Sequence, residues 1–284
     1  MDNLKPPAMG MERAAARRRA HGGRAGSIAL AALVTASLPG PASAGPPYAT
    51  DDPEPVELHH WEIYLASQND FASGGAWAGT LPMVEVNYGP LANVHLHLIA
   101  PLAYDHAIGG PTNYGYGDTE LGVKWRFIQE DGWVPMVGTF PLVELPTGSA
   151  ERGLGTGYTR VFVNLWLQKS FGPWTTYGGG GYWVNPGDGN RNYWFFGWQG
   201  QRRLGEVVTV GAEVFYASAS EVGGSGETRF NVGLVADVSD LQHVLFSAGT
   251  GFGTPVGGQF YVAYQLTFGP KEQVTPSATS IAQK

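Results

Sequence analysis

The chain has 284 residues with 17 Lys+Arg, 24 Asp+Glu and no cysteine, a formal charge of -7. The absence of cysteine excludes a disulfide scaffold and a lipid-modified N-terminal cysteine, and the acidic balance argues against nucleic-acid binding, which needs clustered positive charge. With 42 Gly, 12% aromatic and only 14% charged residues, the composition is rich in turns and aromatics.

Residues 1–44 read as a secretory signal. Arg17, Arg18, Arg19 and Arg24 precede a short apolar stretch over residues 28–38, and Ala42-Ser43-Ala44 supplies the small-residue cleavage pattern, so the mature chain is expected to start at Gly45. The apolar stretch is too short for a membrane-spanning helix, which needs about 20 residues. Six of the basic and two of the acidic residues precede residue 45, which leaves 11 basic against 22 acidic residues in the exported part.

Residues 45–58 (sequence GPPYATDDPEPVEL) are acidic and broken by proline, and are expected to form an extended lead-in on the periplasmic side. From residue 59 to 268 the chain alternates apolar and polar residues in about a dozen short segments. The first, residues 60–68, sets Trp61, Ile63 and Leu65 against Glu62, Tyr64 and Gln68; the next sets Val84, Val86 and Tyr88 against Glu85 and Asn87. A tight turn at residues 89–93 follows, then Val94, Leu96 and Leu98 opposite His95 and His97. After a long connector, Leu121, Val123, Trp125 and Phe127 oppose Glu120, Lys124 and Arg126. Proline and glycine blur the parity over residues 134–145, and it returns with Val161, Val163, Leu165 and Leu167 opposite Arg160, Asn164 and Gln168.

Four consecutive glycines, Gly178 to Gly181, interrupt the next segment and mark a bend or a close backbone approach. Trp194, Phe196 and Trp198 share a parity. Val208, Val210 and Val214 then oppose Glu213, and Phe230, Val232 and Leu234 oppose Arg229, Asn231 and Asp237. The last segment places Phe260, Val262, Tyr264, Leu266 and Phe268 on one side and Gln265 on the other, and a polar tail, residues 269–284, ends the chain.

Period-two alternation over roughly 9–11 residues fits strands with one face in lipid and one in a polar lumen, and a closed barrel satisfies every backbone group of a sheet inside a bilayer. The fold class expected is therefore all-β, a transmembrane antiparallel up-and-down barrel of about 12 strands. Connectors alternate short and long, which places the short turns and both termini in the periplasm. Two aromatic girdles are expected: Trp61, Tyr88, Phe127, Trp133, Phe171, Trp174 and Phe268 near one rim, Tyr104, Trp183, Tyr193, Tyr216 and Phe230 near the other. The partners implied are outer-membrane lipids, the barrel-assembly machinery during insertion, and a small-molecule solute.

The inward parities nominate the lining of the lumen: Glu62, Glu85, His95, His97, Glu120, Lys124, Arg126, Arg160, Asn164, Glu213, Arg229, Asp237 and Gln265. Charges there either set selectivity or pair across the lumen and brace the barrel. His95 and His97 share a face at a spacing that can chelate a metal, but no third ligand is near in sequence; no metal or other cofactor is expected. No HExxH, GxSxG, GxGxxG or P-loop pattern occurs, and the enzyme alternative, an outer-membrane lipid hydrolase, finds no serine beside the histidines. The chain is read as a channel rather than an enzyme, with a non-transporting structural or surface barrel as the alternative.

Three stretches carry a resemblance: Pro46-Pro47-Tyr48-Ala49-Thr50-Asp51-Asp52-Pro53-Glu54-Pro55 followed by Trp61-Glu62, then Tyr88-Gly89-Pro90-Leu91, then Leu145-Pro146-Thr147-Gly148. Together they resemble the outer-membrane transporter family labelled for the meta-cleavage pathway of phenol degradation. The resemblance implies a barrel that moves small, aromatic or hydrophobic compounds. It differs in the polar tail after Phe268, where such barrels end on an aromatic residue.

Overall fold

The computed structural model describes residues 46–72, 74–252 and 256–270; the expected signal sequence and all but the start of the polar tail lie outside the described residues. The strands are β1 (Trp61–Ala72), β2 (Trp77–Leu91), β3 (Val94–His106), β4 (Thr112–Tyr116), β5 (Thr119–Ile128), β6 (Met136–Thr139), β7 (Leu142–Leu145), β8 (Arg160–Phe171), β9 (Trp174–Val184), β10 (Tyr193–Leu204), β11 (Val208–Ala217), β12 (Glu227–Ser239), β13 (Gln242–Phe252) and β14 (Val256–Phe268). All pair antiparallel, and β1 pairs with both β2 and β14, from Trp61 opposite Phe268 to Asp70 opposite Gln259. The sheet is a closed antiparallel barrel of 12 strands.

Two features account for the difference between fourteen ladder segments and twelve walls. Strands β6 and β7 are halves of one wall, both lying between β5 and β8. The ladder breaks at Phe140-Pro141 because proline has no N–H to donate. Asn164 on β8 repairs the break: its side chain accepts from the Phe140 N–H at 2.7 Å and donates to the Phe140 carbonyl. Strands β4 and β5 are likewise one wall, pairing with successive stretches of β3, β4 with residues 102–106 and β5 with residues 94–99.

Alternation fixes which face goes where. On β3, His95, His97 and Ile99 are buried while Leu96 and Leu98 are exposed, and on β8 Arg160, Phe162, Asn164, Trp166 and Gln168 are buried while Val163 and Leu165 are exposed. The outer wall consequently displays a continuous apolar belt, with Val123, Trp125, Trp194, Phe196, Trp198, Val232 and Tyr264 all more than a third exposed. One rim carries part of the expected girdle, with Trp61 stacked on Tyr88 at 4.3 Å and on Phe268 at 6.5 Å. The other differs from expectation. Trp183 and Tyr193 are buried on the inner wall and stack on each other, and Tyr104 is buried in a hydrogen bond to Asn69. Trp183 and Tyr193 sit directly opposite one another on β9 and β10, so they share one face; the aromatic character of a strand end does not reveal which face.

The four glycines of β9 are beds for aromatic rings on both faces. A Cβ on Gly178 would lie 2.5 Å from the Trp198 ring and one on Gly180 2.4 Å from the Phe196 ring, both outside; one on Gly181 would lie 2.6 Å from the Phe162 ring, inside. The strand itself is fully paired on both sides. Gly180→Ala should therefore destabilise the refolded barrel by about 1–3 kcal/mol through overpacking, whereas Gly200→Ala, where nothing lies within 4 Å, should change stability by less than about 0.5 kcal/mol. Urea unfolding followed by tryptophan fluorescence reads both; equal shifts would refute the ring-bed account.

Candidate functional site

The segment expected as a periplasmic lead-in lies instead inside the barrel. Tyr48, Thr50, Asp51, Pro53 and Val56 are all buried, Thr50 and Asp51 almost completely. Its physical reason is visible on the wall. Inward positions that elsewhere carry large side chains are glycine where the segment passes: a Cβ on Gly197 would lie 2.1 Å from Thr50 Oγ1, one on Gly211 2.6 Å from Tyr48 Oη, and one on Gly138 2.9 Å from Pro53 Cβ. At the short-turn end the chain leaves the lumen at Glu57 and turns into β1 by His59 N–H donating to the Gly89 carbonyl at 2.6 Å.

An extended segment that joins no ladder needs side chains to satisfy its backbone. Glu213 of β11 accepts from the Ala49 N–H at 2.8 Å and the Thr50 N–H at 2.7 Å, and also from Asn231. His95 Nδ1 accepts from the Val56 N–H at 3.1 Å, and Ser247 donates to the Pro47 carbonyl. The segment's own charges are met as well: Lys124 Nζ lies 2.9 Å from Asp51 and 3.4 Å from Asp52, and Gln168 donates to Glu54 at 3.0 Å. Burial pushes the Tyr48 phenol up to about 12, so this ring stays neutral against the wall.

The remaining interior holds two apolar clusters and a polar network, the smaller cluster being Tyr64, Ala66, Met83, Ile99, Leu245, Tyr261 and Ala263. On one side Phe140, Leu142, Phe162, Trp166, Trp183, Tyr193, Phe195 and Phe215 form the larger cluster, with the Arg160 guanidinium 5.1 Å above the Trp183 ring and paired to Glu144. On the other is the polar network. His97 presents Nδ1 to Asn87 at 2.6 Å and Nε2 to Glu120 at 3.1 Å, with Glu85 at 3.6 Å. Arg229 binds Asp70 at 2.6 Å and Glu227 at 2.9 Å.

The structure thus places the sequence-nominated residues as follows. Glu85, His95, His97, Glu120, Lys124, Arg160, Asn164, Glu213 and Arg229 are buried in the interior. Glu62 accepts from Tyr64, whose hydroxyl also accepts from Gln265, in the half of the lumen near the short turns. Arg126 and Asp237 are at the rim: Arg126 donates to Asn93 in a short turn, and Asp237 meets Arg203 and His243. The charges do not form a ring of one sign, and Glu213 serves the backbone of the segment and Asn231. Sequence reasoning missed Asp51, Asp52 and Thr50, whose partners are more than 70 residues away, and missed the inward aromatics. The glycines facing the segment were the available signal. Among the described residues no cluster of three or more His, Cys, Asp or Glu side chains could hold a metal ion.

Two cavities flank the segment. One of about 690 Å³, lined by Glu62, His95, Lys124, Asp240 and Phe268, opens toward the short-turn end; the other, of about 80 Å³, lies on the side of the long connectors between Tyr48 and Arg229. Residues 46–49 line the smaller cavity and residues 51, 52 and 54–57 the larger, with Pro46 and Glu85 common to both.

No protein-family model and no curated protein matches the chain. Among solved structures it is similar to an outer-membrane channel from Pseudomonas putida F1, with 13% identity and a TM-score of 0.61 over 76% of this chain and 98% of that one. Weaker likenesses are to the CymD monoaromatic hydrocarbon channel (10% identity, TM-score 0.44, 75% of this chain and 89% of that one) and to the translocator domain of autotransporter NalP from Neisseria meningitidis (8%, 0.43, 75% and 89%). At these identities the likeness is one of fold.

Glu213→Gln replaces one of the two carboxylate acceptors by an N–H₂ group facing an N–H donor. Amide hydrogen exchange at Ala49 and Thr50 should then accelerate by about tenfold or more, the effect of leaving a buried donor unmatched, while exchange in β1 and β14 stays unchanged. Unaltered protection at Ala49 and Thr50 would show that Glu213 does not hold the segment.

Proposed function

We propose that the protein is an outer-membrane channel for small molecules whose lumen is closed by residues 46–56, and that passage requires this segment to move. The observation that carries the reading is the segment's position between two cavities, held largely by hydrogen bonds and ion pairs, with Ala49 alone of its side chains packed on the large aromatic cluster. Polar contacts of this kind exchange for water as the segment leaves, whereas an apolar core does not. The continuous apolar belt supports a membrane setting, since soluble monomers rarely expose apolar patches of more than a few hundred Å². The short turns are read as periplasmic and the long connectors as external, with the chain exported by its N-terminal signal and inserted by the barrel-assembly machinery. Flow is passive, and the aromatic half of the interior suits aromatic or hydrophobic solutes. No enzymatic role is proposed.

The well-paired interior favours one second reading, a barrel that transports nothing and is closed for good. Planar-bilayer recording separates the two. Deleting residues 46–56 should raise single-channel conductance severalfold over the intact protein, with both forms keeping the compact, heat-modifiable band of a folded barrel. A deletion variant that folds but conducts no better than the parent would leave the structural reading standing.

Orientation has its own test. A protease site inserted at Gly224, in the long β11–β12 connector, should be cut on intact cells, and one at Asp240, in the short β12–β13 turn, only after the outer membrane is permeabilised. The reverse pattern would invert the assignment of the two ends.

A further inference from the structure

We infer that the outer face of β8–β11 carries a seat for one anionic phospholipid, with its phosphate at Arg202 and an acyl chain in an apolar groove beside Gly180. The inference rests on the proposed membrane orientation only for placing that lipid in the periplasmic leaflet, and it does not depend on conduction.

Among the described strand residues two Lys or Arg side chains take an outward parity, Lys169 on β8 and Arg202 on β10, both toward the short-turn end. Lys169 is bridged to Glu130 at 2.6 Å. Arg202 joins no ion pair among the described residues; its guanidinium lies 5.2 Å from the centroid of the Trp174 ring, directly opposite on β9. It shares the parity of Trp194, Phe196 and Trp198, all about half exposed, whereas Arg203, one residue on, takes the other parity and meets Asp237 at 2.9 Å. Two residues from the end of its strand, Arg202 sits at interfacial depth, where an outward cation costs little and tryptophan is enriched. A guanidinium held by a ring and not by a carboxylate keeps its charge uncompensated. Its N–H donors make no hydrogen bond within the described residues, and their fork matches the oxygens of a phosphate.

Toward mid-membrane the same face opens into an apolar groove of about 560 Å³, lined by Leu165, Leu167, Gly180, Phe196, Trp198 and Val214. Leu165 and Phe196 are both directly opposite Gly180, and Leu167 and Trp198 both opposite Gly178, so the glycines of β9 leave no side chain standing between the leucines and the rings. Between the groove and Arg202 lies Gly200, where a Cβ would meet nothing within 4 Å. From Phe196 to Arg202 is six residues of β10, about 20 Å along the strand at about 3.3 Å per residue, and about 15 Å along the membrane normal at the usual tilt of about 35–45°. That is half of a hydrocarbon core of about 30 Å. The cation and the groove therefore span one leaflet, the proportions of one phospholipid. A soluble anion would use the cation without the groove, and a hydrocarbon the groove without the cation. An uncompensated positive charge also favours a headgroup of net negative charge over a zwitterionic one, whose ammonium cancels the attraction.

Native mass spectrometry of the full-length barrel, released from micelles doped with equal amounts of phosphatidylglycerol and phosphatidylethanolamine of the same chains, reads the preference directly. The intact protein should retain one phosphatidylglycerol about fivefold more often than phosphatidylethanolamine, the effect of one cation at a membrane surface. Arg202→Gln should bring the two lipids to equal retention, and Arg203→Gln, at the same rim but on the other parity, should keep the preference. Val214→Trp fills the groove from a lipid-facing position and should lower retention of both lipids severalfold while leaving their ratio unchanged. All forms are compared as folded, heat-modifiable barrels. Equal retention by the intact protein, a preference that survives Arg202→Gln or disappears equally in Arg203→Gln, or undiminished retention by Val214→Trp would each overturn the assignment. Orientation fails separately: reversed cleavage at Gly224 and Asp240, with the Arg202-dependent preference intact, would overturn the leaflet and keep the seat.

Discussion

A sheet that closes on itself has no strand edge, and the pairing of β1 with β14 from Trp61–Phe268 to Asp70–Gln259 achieves that here. With the backbone satisfied around the full circumference, the two faces of the wall become independent problems. The outer face can be wholly apolar, because nothing on it needs water. The inner face must then take almost every charged side chain of the strands, and a barrel of this size leaves too much room for side chains of one wall to meet those of the opposite wall everywhere. The remaining volume has to be filled by something, and residues 46–56 fill part of it.

That constraint explains why the interior is divided. Where the wall carries Phe162, Trp166, Trp183, Tyr193, Phe195 and Phe215, the rings fill the space themselves and stack on one another, with Phe162 and Trp183 4.9 Å apart. Where the wall carries Glu85, His97, Glu120, Lys124 and Glu213, the space is closed by short polar contacts among these groups and with the occluding segment. The glycines at 138, 197 and 211 lie between large inward neighbours and give the segment its track. Phe140 joins the halves: its ring meets His95 and His97 edge-on and lies under the Lys124 ammonium at 5.0 Å. The ladder break at Pro141 lies immediately after it.

The sequence made the fold readable because period two is a local property. Whether Leu96 or His97 faces out is decided by its neighbours, and one buried face pins the register of the whole strand. Parity says which side a residue takes, however, and not what it meets there. Trp183 and Tyr193 look like girdle residues by position along the strand, and only their shared inner face makes them core. The pairing of Thr50 with Glu213, 163 residues on, or of Pro47 with Ser247, 200 residues on, depends on the barrel's circumference and on a segment that has no periodicity. Its prolines and acidic residues read as a solvated approach. Charge also misleads about partners: Lys124 pairs with Asp51 and Asp52, which belong to the segment and not to the wall.

The same contacts determine what leaving the lumen costs the segment. Removing one member of a buried ion pair from a dry core leaves an uncompensated charge, a loss of about 3–5 kcal/mol. Departure of residues 46–56 is different in kind, because it removes Asp51, Asp52 and the N–H donors together and opens a cavity of about 690 Å³ into the adjoining space. Lys124 and Glu213 would then face water rather than protein, where an ion pair at 4 Å is worth only about 1 kcal/mol and each group regains hydration. The apolar part of the loss falls on Tyr48, Ala49, Val56 and the prolines. A segment built of acidic residues and prolines, against a wall of charged acceptors and glycines, is thus held in place by interactions that water can replace, while the ladder around it is held by interactions that, in a bilayer, nothing replaces.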